Sequence, residues 1–493
     1  MANNYALPRR KQRVSGRFSK WLTRTFLDEK LYNWFGCLLL GIVAAGFGYL
    51  LAKQDAVGMS LLLLVLGLCA ILPCFASGAT SLYFILIYNY FIYIVPRLLE
   101  DESIKVGIGY DALLIIAMLG FVLRREHLKK ASNHLFQTPV MIWTLVLYFY
   151  NAIELVNPLA HSLTGWYISF RVTTESFLLF FIAYQVFTTW KRIDDYLLML
   201  FWASFLVAIY GCIQQWHGMF PFEMHYISRI KGTSLYYAGQ IRKFSTTSGP
   251  TAFGMDMAGV AVLYIILGLN EKRRRRQVLY FFGVIVMILS STYSGTRTSN
   301  IMLIAGLAVY VLLQANKKQT RMFAGVAICL LLVIIRLPIY SNATLNRFRS
   351  SFEGKHDDSY LVREVNRKRI QPYIYSHPIG GGLGTTNAAG VVYNPGHYLA
   401  NFQTDDGYLK TALEIGWIGL LITVILYFQI LRTGVTEYFN TTNERNKSVL
   451  AACLACLFSF MLADLAQEGI NEITNVVIYY PAVAILLRLN YVS

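Results

Sequence analysis

The stretch ILSSTYSGTRTSNIMLIAG, Ile288 to Gly306, places small hydroxyl residues and one arginine, Arg297, between two apolar runs. A guanidinium group is costly inside hydrocarbon, so the turn that carries it is expected at a membrane surface. The two runs then belong to consecutive membrane-spanning helices, near 277–293 and 298–315. The stretch therefore predicts an all-α polytopic integral membrane protein.

Composition supports the same fold class along the whole chain. Of the 493 residues, 56% are hydrophobic and only 14% are charged, too few to cover the surface of a soluble protein. Apolar runs of about 20 residues, the length that crosses a bilayer core, recur almost without interruption. They leave no room for a large soluble domain. The seven cysteines lie in or beside apolar runs, so we expect neither disulfides nor thiolate metal sites.

The positive charges alternate between loops. The net charge is +17, and Lys and Arg cluster in the tail before Leu31 and again at 124–130, 272–276 and 317–321. The positive-inside rule places these clusters and both termini in the cytoplasm. Orientation and contact with anionic membrane lipids explain the clusters, so nucleic acid is not expected as a partner.

Apolar runs and charge alternation together predict about fourteen spans. Residues 1–31 form a basic cytoplasmic tail, and residues 32–493 form a single polytopic membrane domain. The predicted spans lie near 32–52, 57–73, 79–96, 107–123, 138–155, 173–189, 195–214, 250–269, 277–293, 298–315, 322–339, 411–431, 448–463 and 474–488.

This topology places three segments on the outer face. They are the turn at Arg297, the loop 215–249 with Arg242, and a long loop, 340–410, before the third-last span. Orientation does not require the positive charges in these segments. They indicate an anionic partner, with a solvated cationic surface as the alternative.

Part of the long loop is predicted to be helical. After the possible N-cap Asp358, the run YLVREVNRKRI places Arg363 and Arg367 one turn apart, a spacing that suits the oxygens of a diphosphate. Pro372 is expected to kink or end this helix. The following HPIGGGLGTTNAAG lacks the GK[ST] ending of a nucleotide-binding loop, which excludes that function. The loop is also rich in tyrosine, which suits either stacking on sugars or an interfacial aromatic belt.

Two carboxylates, Asp405 and Asp406, directly precede the third-last span. One of them could take a proton from an attacking hydroxyl as a general base. A helix N-cap or a counter-ion for the nearby arginines are the structural alternatives. The histidines of the loop have no ligand spacing, so no metal site is expected.

The motifs of this region resemble a known superfamily. RKRIQPYIYSHPIGGGLGTTNAAG and TDDGYLKTALEIGWIGLL are similar to the hallmark region of the O-antigen ligase and O-antigen polymerase superfamily. STYSGTRTSN resembles its S-x-S-R turn, while AIYGCIQQWHG and RKFSTTSGPTAFG are more loosely similar to its upstream motifs. The resemblance runs from about Ala208 to Leu421, with the motifs in the family's order.

The resemblance implies a glycosyltransferase C-like helical fold and an enzyme without a metal or other cofactor. Such an enzyme moves a glycan from undecaprenyl diphosphate to a hydroxyl acceptor, a glycan or lipid-linked sugar, at the outer (periplasmic) face of the bacterial inner membrane. The superfamily's essential arginines fall on Arg242 and Arg297 and its proposed base on Asp405, the expected catalytic residues. The expected substrate-binding residues are Arg363, Arg367, Asp406 and Tyr408.

One departure from the family pattern affects the choice of acceptor. Where ligases carry His-Asn, this chain has Asp405-Asp406, which favours a repeat-unit polymerase slightly over a ligase. Two alternatives stay open. A flippase or other transporter of lipid-linked glycans would place ionisable residues at mid-membrane, for which Asp111, Asp256 and Asp464 are candidates. The third possibility is a non-catalytic assembly protein.

Overall fold

The computed structural model describes residues 74, 77–100, 104–124, 134–230, 235–237, 239–336, 343–350 and 358–492. At 123–124, 230, 343–344, 350 and 358–363 only the backbone is described. The predicted basic tail and the first two predicted spans, near 32–52 and 57–73, lie outside the described residues.

Helices account for almost all of the described secondary structure. A single two-stranded antiparallel hairpin, β1 (Tyr236–Tyr237) and β2 (Gln240–Ile241), is the exception among the described residues. The helices of the first half are α1 (Gly78–Phe91), α2 (Ile94–Leu98), α3 (Val106–Arg124), α4 (Pro139–Ile153), α5 (Leu163–Val186), α6 (Trp190–Trp216) and α7 (Pro221–Ile230). Those of the second half are α8 (Pro250–Asn270), α9 (Arg274–Tyr293), α10 (Arg297–Leu313), α11 (Lys318–Arg336), α12 (Ala343–Ser350), α13 (Asp358–Ser376), α14 (Asn387–Tyr393), α15 (Gly407–Glu414), α16 (Gly416–Asn440), α17 (Glu444–Ala463) and α18 (Ile473–Arg488).

The described helices confirm a polytopic membrane protein. Eight of them are long and apolar enough to cross a membrane, namely α4, α6, α8, α9, α11, α16, α17 and α18, counting the short extensions of α4 and α18. Two shorter apolar helices are Val106–Val122 and Arg297–Leu313. Every predicted span that falls on described residues overlaps a helix. The total of fourteen spans stays a prediction.

Several boundaries differ from those predicted. Helix α5 begins at Leu163, ten residues before the predicted span, because the Ser162 hydroxyl caps it by accepting from the Gly165 amide (3.1 Å). The predicted span 411–431 is interrupted at Ile415 and forms two helices, α15 and α16. Pro372 does not end α13, which continues to Ser376. A proline so close to a C-terminus removes only one of the last backbone hydrogen bonds.

The centre of the bundle is α8, which packs against α6, α9, α10, α17 and α18 and is buried over nearly its whole length. Small residues allow these close approaches. A side chain at Gly259 would overlap the ring of Phe460, and one at Gly306 would overlap Ser459. Cys453 and Cys456 are fully buried in α17, where they pack as small residues. This central bundle fixes the ends of the helices that carry the site.

The chain divides into two compact units. The first comprises Met1–Ser81 and Ile115–Glu126, and in it the Ser81 hydroxyl donates to the Cys74 carbonyl (2.9 Å). The second comprises Leu82–Leu114 and His127–Ser493. All the candidate site residues belong to the second unit.

Candidate functional site

The turn between α9 and α10, Ser294–Thr296, gathers arginines from distant parts of the chain. Arg242 donates from Nε to the Ser294 carbonyl (2.9 Å) and from Nη2 to the Thr296 hydroxyl (3.0 Å). Arg347 donates from Nε to the Gly295 carbonyl (2.9 Å). Arg297 follows the turn as the first residue of α10. We call Arg242, Arg297 and Arg347 the arginine cluster.

The three guanidinium groups lie close enough together to affect one another electrostatically. Burial, and then the positive charges of Arg347 and Arg297, lower the pKa of Arg242 to about 10. The Arg347 guanidinium also lies over the ring of Tyr237, 4.1 Å from its centroid. Three like charges around one turn repel one another, and a bound anion would relieve that repulsion.

The hydroxyl residues of this turn hold it in place. The Ser291 hydroxyl donates to the Gly254 carbonyl (3.0 Å) and the Thr296 hydroxyl to the Pro250 carbonyl (3.0 Å), both in the first turns of α8. Gly254 allows this approach, since a side chain there would overlap Ser294. Gly295 has φ +63°, a conformation that favours glycine. The small residues of the opening stretch therefore fix the backbone to which Arg242 and Arg347 bind.

Asp406 has two structural tasks in the carboxylate segment. It is the N-cap of α15, because its Oδ1 accepts from the Leu409 amide. Its Oδ2 accepts from Arg367 Nη2 (2.7 Å) and Nε (3.2 Å). Arg367 donates in addition to the Leu465 carbonyl (2.9 Å). Both structural alternatives considered for the Asp pair, cap and counter-ion, are thus met by Asp406.

Asp405 differs from its neighbour because its side chain is exposed. Backbone hydrogen bonds fix it on both sides. The Glu468 amide donates to the Asp405 carbonyl (3.0 Å), and the Gly407 amide donates to the Asp464 carbonyl (2.9 Å). Tyr408 donates from its hydroxyl to the Met461 carbonyl (3.0 Å), which ties α15 to α17. An exposed carboxylate on a fixed backbone can be reached from solvent.

The loop 464–472 connects the carboxylate segment to the end of the bundle that carries the arginine cluster. The Thr298 hydroxyl, in the first turn of α10, donates to Gln467 Oε1 (3.4 Å). Gln467 in turn donates to the Thr251 hydroxyl (3.4 Å), and the next residue, Glu468, binds the Asp405 backbone. Cations and exposed carboxylate therefore lie at the same end of the helices.

A glycine turn positions α15. The Gly381 and Gly382 amides donate to the carbonyls of Leu413 and Glu414 (both 2.8 Å). Gly416 has φ +70°, and a side chain there would overlap the Pro378 carbonyl. This contact between two backbones accounts for the helix break at Ile415. We call it the glycine interlock.

Buried Glu414 completes the glycine interlock. It accepts hydrogen bonds from the Thr386 hydroxyl (2.6 Å) and amide (3.3 Å). Burial raises the pKa of Glu414. The glutamate of the stretch TDDGYLKTALEIGWIGLL therefore has a structural role here, holding the turn at Thr386 to the helix end.

A cavity of about 380 Å³ lies behind this segment, between α4, α5, α16 and α18. At its polar end Lys410 forms an ion pair with Glu468 (2.8 Å), next to Asp464. Burial raises the pKa of Asp464 to about 7. The other walls include the apolar residues Phe180 and Val483.

Sequence reasoning missed parts of this arrangement. Arg347 belonged to the positive charges that indicated an anionic partner, but it had no individual site role, because nothing in the sequence shows that it meets Arg242 across about a hundred residues. Lys410 and Glu468 were also missed, and no motif marks them. Glu414 lay within a family motif, and this was the signal that could have found it.

Other expectations have mixed outcomes. Asp256, a candidate for an ionisable residue at mid-membrane, is buried in α8 and accepts from the Tyr90 hydroxyl (2.9 Å). Arg363 lies on α13, but its side chain is outside the described residues. Among the described residues, no group of three or more His, Cys, Asp or Glu side chains is placed to hold a metal ion.

Comparison with known families supports the resemblance on which these residues were chosen. Residues 282–424 match the family model described as O-antigen ligase. The matched segment runs from α9 into α16 and contains Arg297, Arg347, the glycine interlock and Asp405. No curated protein matches the chain.

Proposed function

We propose that this protein transfers a glycan from a polyprenyl-diphosphate donor to a hydroxyl acceptor, a function supported by the match of residues 282–424 to the O-antigen ligase family model. The donor lipid expected from the family is undecaprenyl diphosphate. The reaction takes place at the outer face of the bacterial inner membrane, and both termini lie in the cytoplasm.

The observation that carries this proposal is the arginine cluster. Arginine binds phosphate oxygens with a planar, permanently charged pair of donors, and several arginines together suit a diphosphate. Arg242 and Arg347 are held by the backbone of the turn at 2.9 Å, so their positions are set before the donor arrives. Such preorganised charge stabilises a departing diphosphate more than a flexible charge does.

The proposed reaction is a displacement at the anomeric carbon. Asp405 takes the proton of the acceptor hydroxyl while the oxygen of that hydroxyl forms the new glycosidic bond. The bond between the anomeric carbon and the phosphate oxygen breaks, and the diphosphate leaves with the electron pair. Arg297, Arg242 and Arg347 stabilise the leaving group without a metal ion, so transfer is expected to persist in excess chelator.

The remaining site residues are assigned supporting tasks. Arg367 neutralises Asp406 (2.7 Å), and this pair orients the segment that carries Asp405. Arg363, one turn before Arg367 on α13, is proposed to contact the donor phosphates. Tyr408 braces α15 through the Met461 carbonyl, next to the substrate.

Asp405 also bears on the identity of the acceptor. Ligases of the family carry His-Asn where this chain has Asp405-Asp406, so we favour a repeat-unit polymerase, whose acceptor is a second lipid-linked glycan. The pair of carboxylates is the only feature on which we base this preference.

The transporter alternative has one observation in its favour, a group of ionisable residues on α3 and α5. Arg171 lies 3.3 Å from Asp111 and 3.1 Å from Glu175. These charges neutralise one another, as expected of a structural network. Asp256 is likewise hydrogen-bonded by Tyr90. We therefore favour the enzyme.

The deciding experiment uses the full-length protein in proteoliposomes with lipid-linked glycan isolated from the host. Formation of a longer lipid-linked glycan, with release of polyprenyl diphosphate, is the expected result. Movement of unchanged donor across the bilayer, with no new glycosidic bond, would instead identify a transporter. An inert Arg297→Lys protein that still folds provides the matched control.

Sidedness is tested separately with membrane-impermeant thiol reagents. Cysteines introduced at the exposed residues Tyr375 and Arg274 should react from opposite faces of the membrane. Thr385, on the same outer loop, is fully buried and unsuitable for labelling. Reaction of both positions from one face would reject the proposed topology.

A further inference from the structure

Three aromatic rings form a stack on the outer loop, beside the glycine interlock. The ring of Tyr373 lies parallel to that of His377, with centroids 3.9 Å apart and 12° between the planes. The rings of Tyr373 and Tyr398 are also stacked, with centroids 5.3 Å apart and 17° between the planes. We call His377, Tyr373 and Tyr398 the aromatic ladder.

The ladder is supported by a buried cluster and ends in an accessible ring. Tyr373 packs against the buried cluster formed by Ile370, Leu399 and Leu413. Tyr398, in contrast, is 67% exposed, so its ring is accessible. A fixed stack that ends in an accessible aromatic ring is a ready surface for a flat, partly apolar ligand.

Two histidine nitrogen atoms, one in the ladder and one beside it, can form hydrogen bonds with a ligand. His397 Nδ1 accepts from the Leu399 amide (3.1 Å), so in the neutral ring Nε2 carries the hydrogen and can donate. His377 Nδ1 lies 2.9 Å from the Tyr373 carbonyl and must donate to it, which leaves Nε2 of a neutral ring as an acceptor. Among the described residues, neither Nε2 has a protein partner. The surface therefore offers one donor and one acceptor.

The histidines lie close together around the ladder. A side chain at Gly381 would overlap both His397 and the Tyr373 hydroxyl, which places His397 against the ladder. Burial, and then the neighbouring His161 and His377, lower the pKa of His397. The neutral ring is thus the favoured form near pH 7, consistent with binding hydroxyl groups rather than an anion.

Helix α13 and a shared buried cluster connect the ladder to the segment of Asp405. Tyr373 is six residues after Arg367 on α13, a separation of about 9 Å along a helix axis. The buried cluster that supports Tyr373 also contacts Leu409, whose amide binds Asp406. A short oligosaccharide with one hydroxyl at Asp405 is long enough to reach the ladder.

We propose that the aromatic ladder and its two histidines form a subsite for the saccharide chain of the acceptor. The apolar face of one sugar ring packs on Tyr398, and hydroxyls of neighbouring sugars in the same chain bind His397 and His377. This inference rests on the proposed function, since it assigns the ladder to the acceptor of that reaction. The ladder lies on the side of Asp405, the proposed base, and not at the turn of the arginine cluster, where the donor diphosphate is placed.

The test measures binding and transfer separately, with the full-length protein in nanodiscs. The probe is the oligosaccharide released by mild acid from the host's lipid-linked glycan, free of lipid and phosphate. Binding is followed by saturation-transfer NMR, which needs no catalysis. Tyr398→Ala should weaken binding by about 3- to 10-fold, the size of one aromatic stacking contact, and Tyr398→Trp should restore it.

Tyr375→Ala is the matched control, because Tyr375 is 71% exposed and lies on α13, the helix of Tyr373, but outside the ladder. It should leave binding unchanged, and Tyr398→Ala should raise the acceptor KM while kcat changes little. Equal binding by the Tyr398→Ala and Tyr375→Ala proteins would overturn the inference and leave Tyr398 as an interfacial anchor. Binding that depends on Tyr398 in a protein with no transfer activity would support the subsite while rejecting the proposed reaction.

Discussion

Arg367 binds Asp406 with two nitrogen atoms, Nη2 at 2.7 Å and Nε at 3.2 Å from the same carboxylate oxygen. The other oxygen of Asp406 caps α15. The adjacent Asp405 has an exposed side chain and a fixed backbone. Two neighbouring aspartates thus have different surroundings, and substitutions at each should have different effects.

Asp405→Asn tests the proposed base. Asn has nearly the same shape but does not accept the acceptor proton, so transfer should fall roughly 10²- to 10⁴-fold. Donor binding should persist, because the arginine cluster is intact. Asp405→His should retain more activity than Asn, since imidazole can accept a proton. Transfer and protein level are measured in membranes, and full activity of Asp405→Asn at normal abundance would remove Asp405 from the mechanism.

Asp406 is expected to respond through stability. Asp406→Asn keeps an oxygen that can cap α15, so it should fold and lose only part of its activity. Asp406→Ala removes the cap and should lower the free energy of unfolding by about 1 kcal/mol. Thermal unfolding of the detergent-purified proteins measures this. A larger loss of stability in Asp406→Asn than in Asp406→Ala would contradict the capping role.

Arg297→Lys tests the leaving-group role. Lysine keeps the charge but lacks the planar pair of donors, so transfer should fall by about 10²-fold or more with normal protein abundance. Arg274→Lys, at an exposed position on the other end of α9, is the control and should be silent. Near-normal transfer by Arg297→Lys would reduce Arg297 to a general electrostatic contribution.

The glycine interlock makes a prediction about packing. Gly416→Ala introduces a methyl group against the Pro378 carbonyl at φ +70°, so the protein should be severely destabilised. Gly396→Ala has a similar conformation, φ +96°, but nothing within 4 Å of the new methyl group. It should lose only about 1 kcal/mol, the penalty of the backbone conformation alone. Equal abundance of the two variants in membranes would contradict the interlock.

Asp464 should make stability depend on pH. Burial raises its pKa from 3.8 to about 7, so the folded state holds a proton that the unfolded state releases. Its contribution to stability is complete below about pH 4 and is lost as the pH rises through 7. At each pH, the melting temperature of wild type is subtracted from that of Asp464→Asn. This difference should be larger at pH 8 than at pH 5. Asp195→Asn, at an exposed position, should show no such trend.

The sequence was sufficient for the class of fold and for the position of Arg297 at the start of a helix. Arg297 lies in a polar turn between two apolar runs, a pattern that local chemistry explains, and the structure places it at a helix start. The break at Ile415 was not visible, because the apolar pattern continues through it. It depends on Pro378, which lies nearly forty residues earlier in the chain.

The partners of the site residues were also beyond sequence reasoning. Arg347 reaches the turn at Gly295 across 52 residues, and Glu468 reaches Asp405 across 63. The acidic pair illustrates the limit, because cap, counter-ion and base were all possible for either residue. The structure distinguishes the two aspartates, because Arg367 and the Leu409 amide bind Asp406.

The hydrogen bonds from 464–468 to the Asp405 segment also set an order of biosynthesis. Gly407 and Asp405 are held by Asp464 and Glu468, residues that leave the ribosome 57 and 63 residues later than their partners. Domains and segments generally become structured as they emerge, from the N-terminus onward. The arginine turn can form early, whereas the segment of Asp405 lacks its hydrogen bonds to 464–468 until α17 has been made. A nascent chain therefore has the arginine turn before the backbone hydrogen bonds that fix the segment of Asp405.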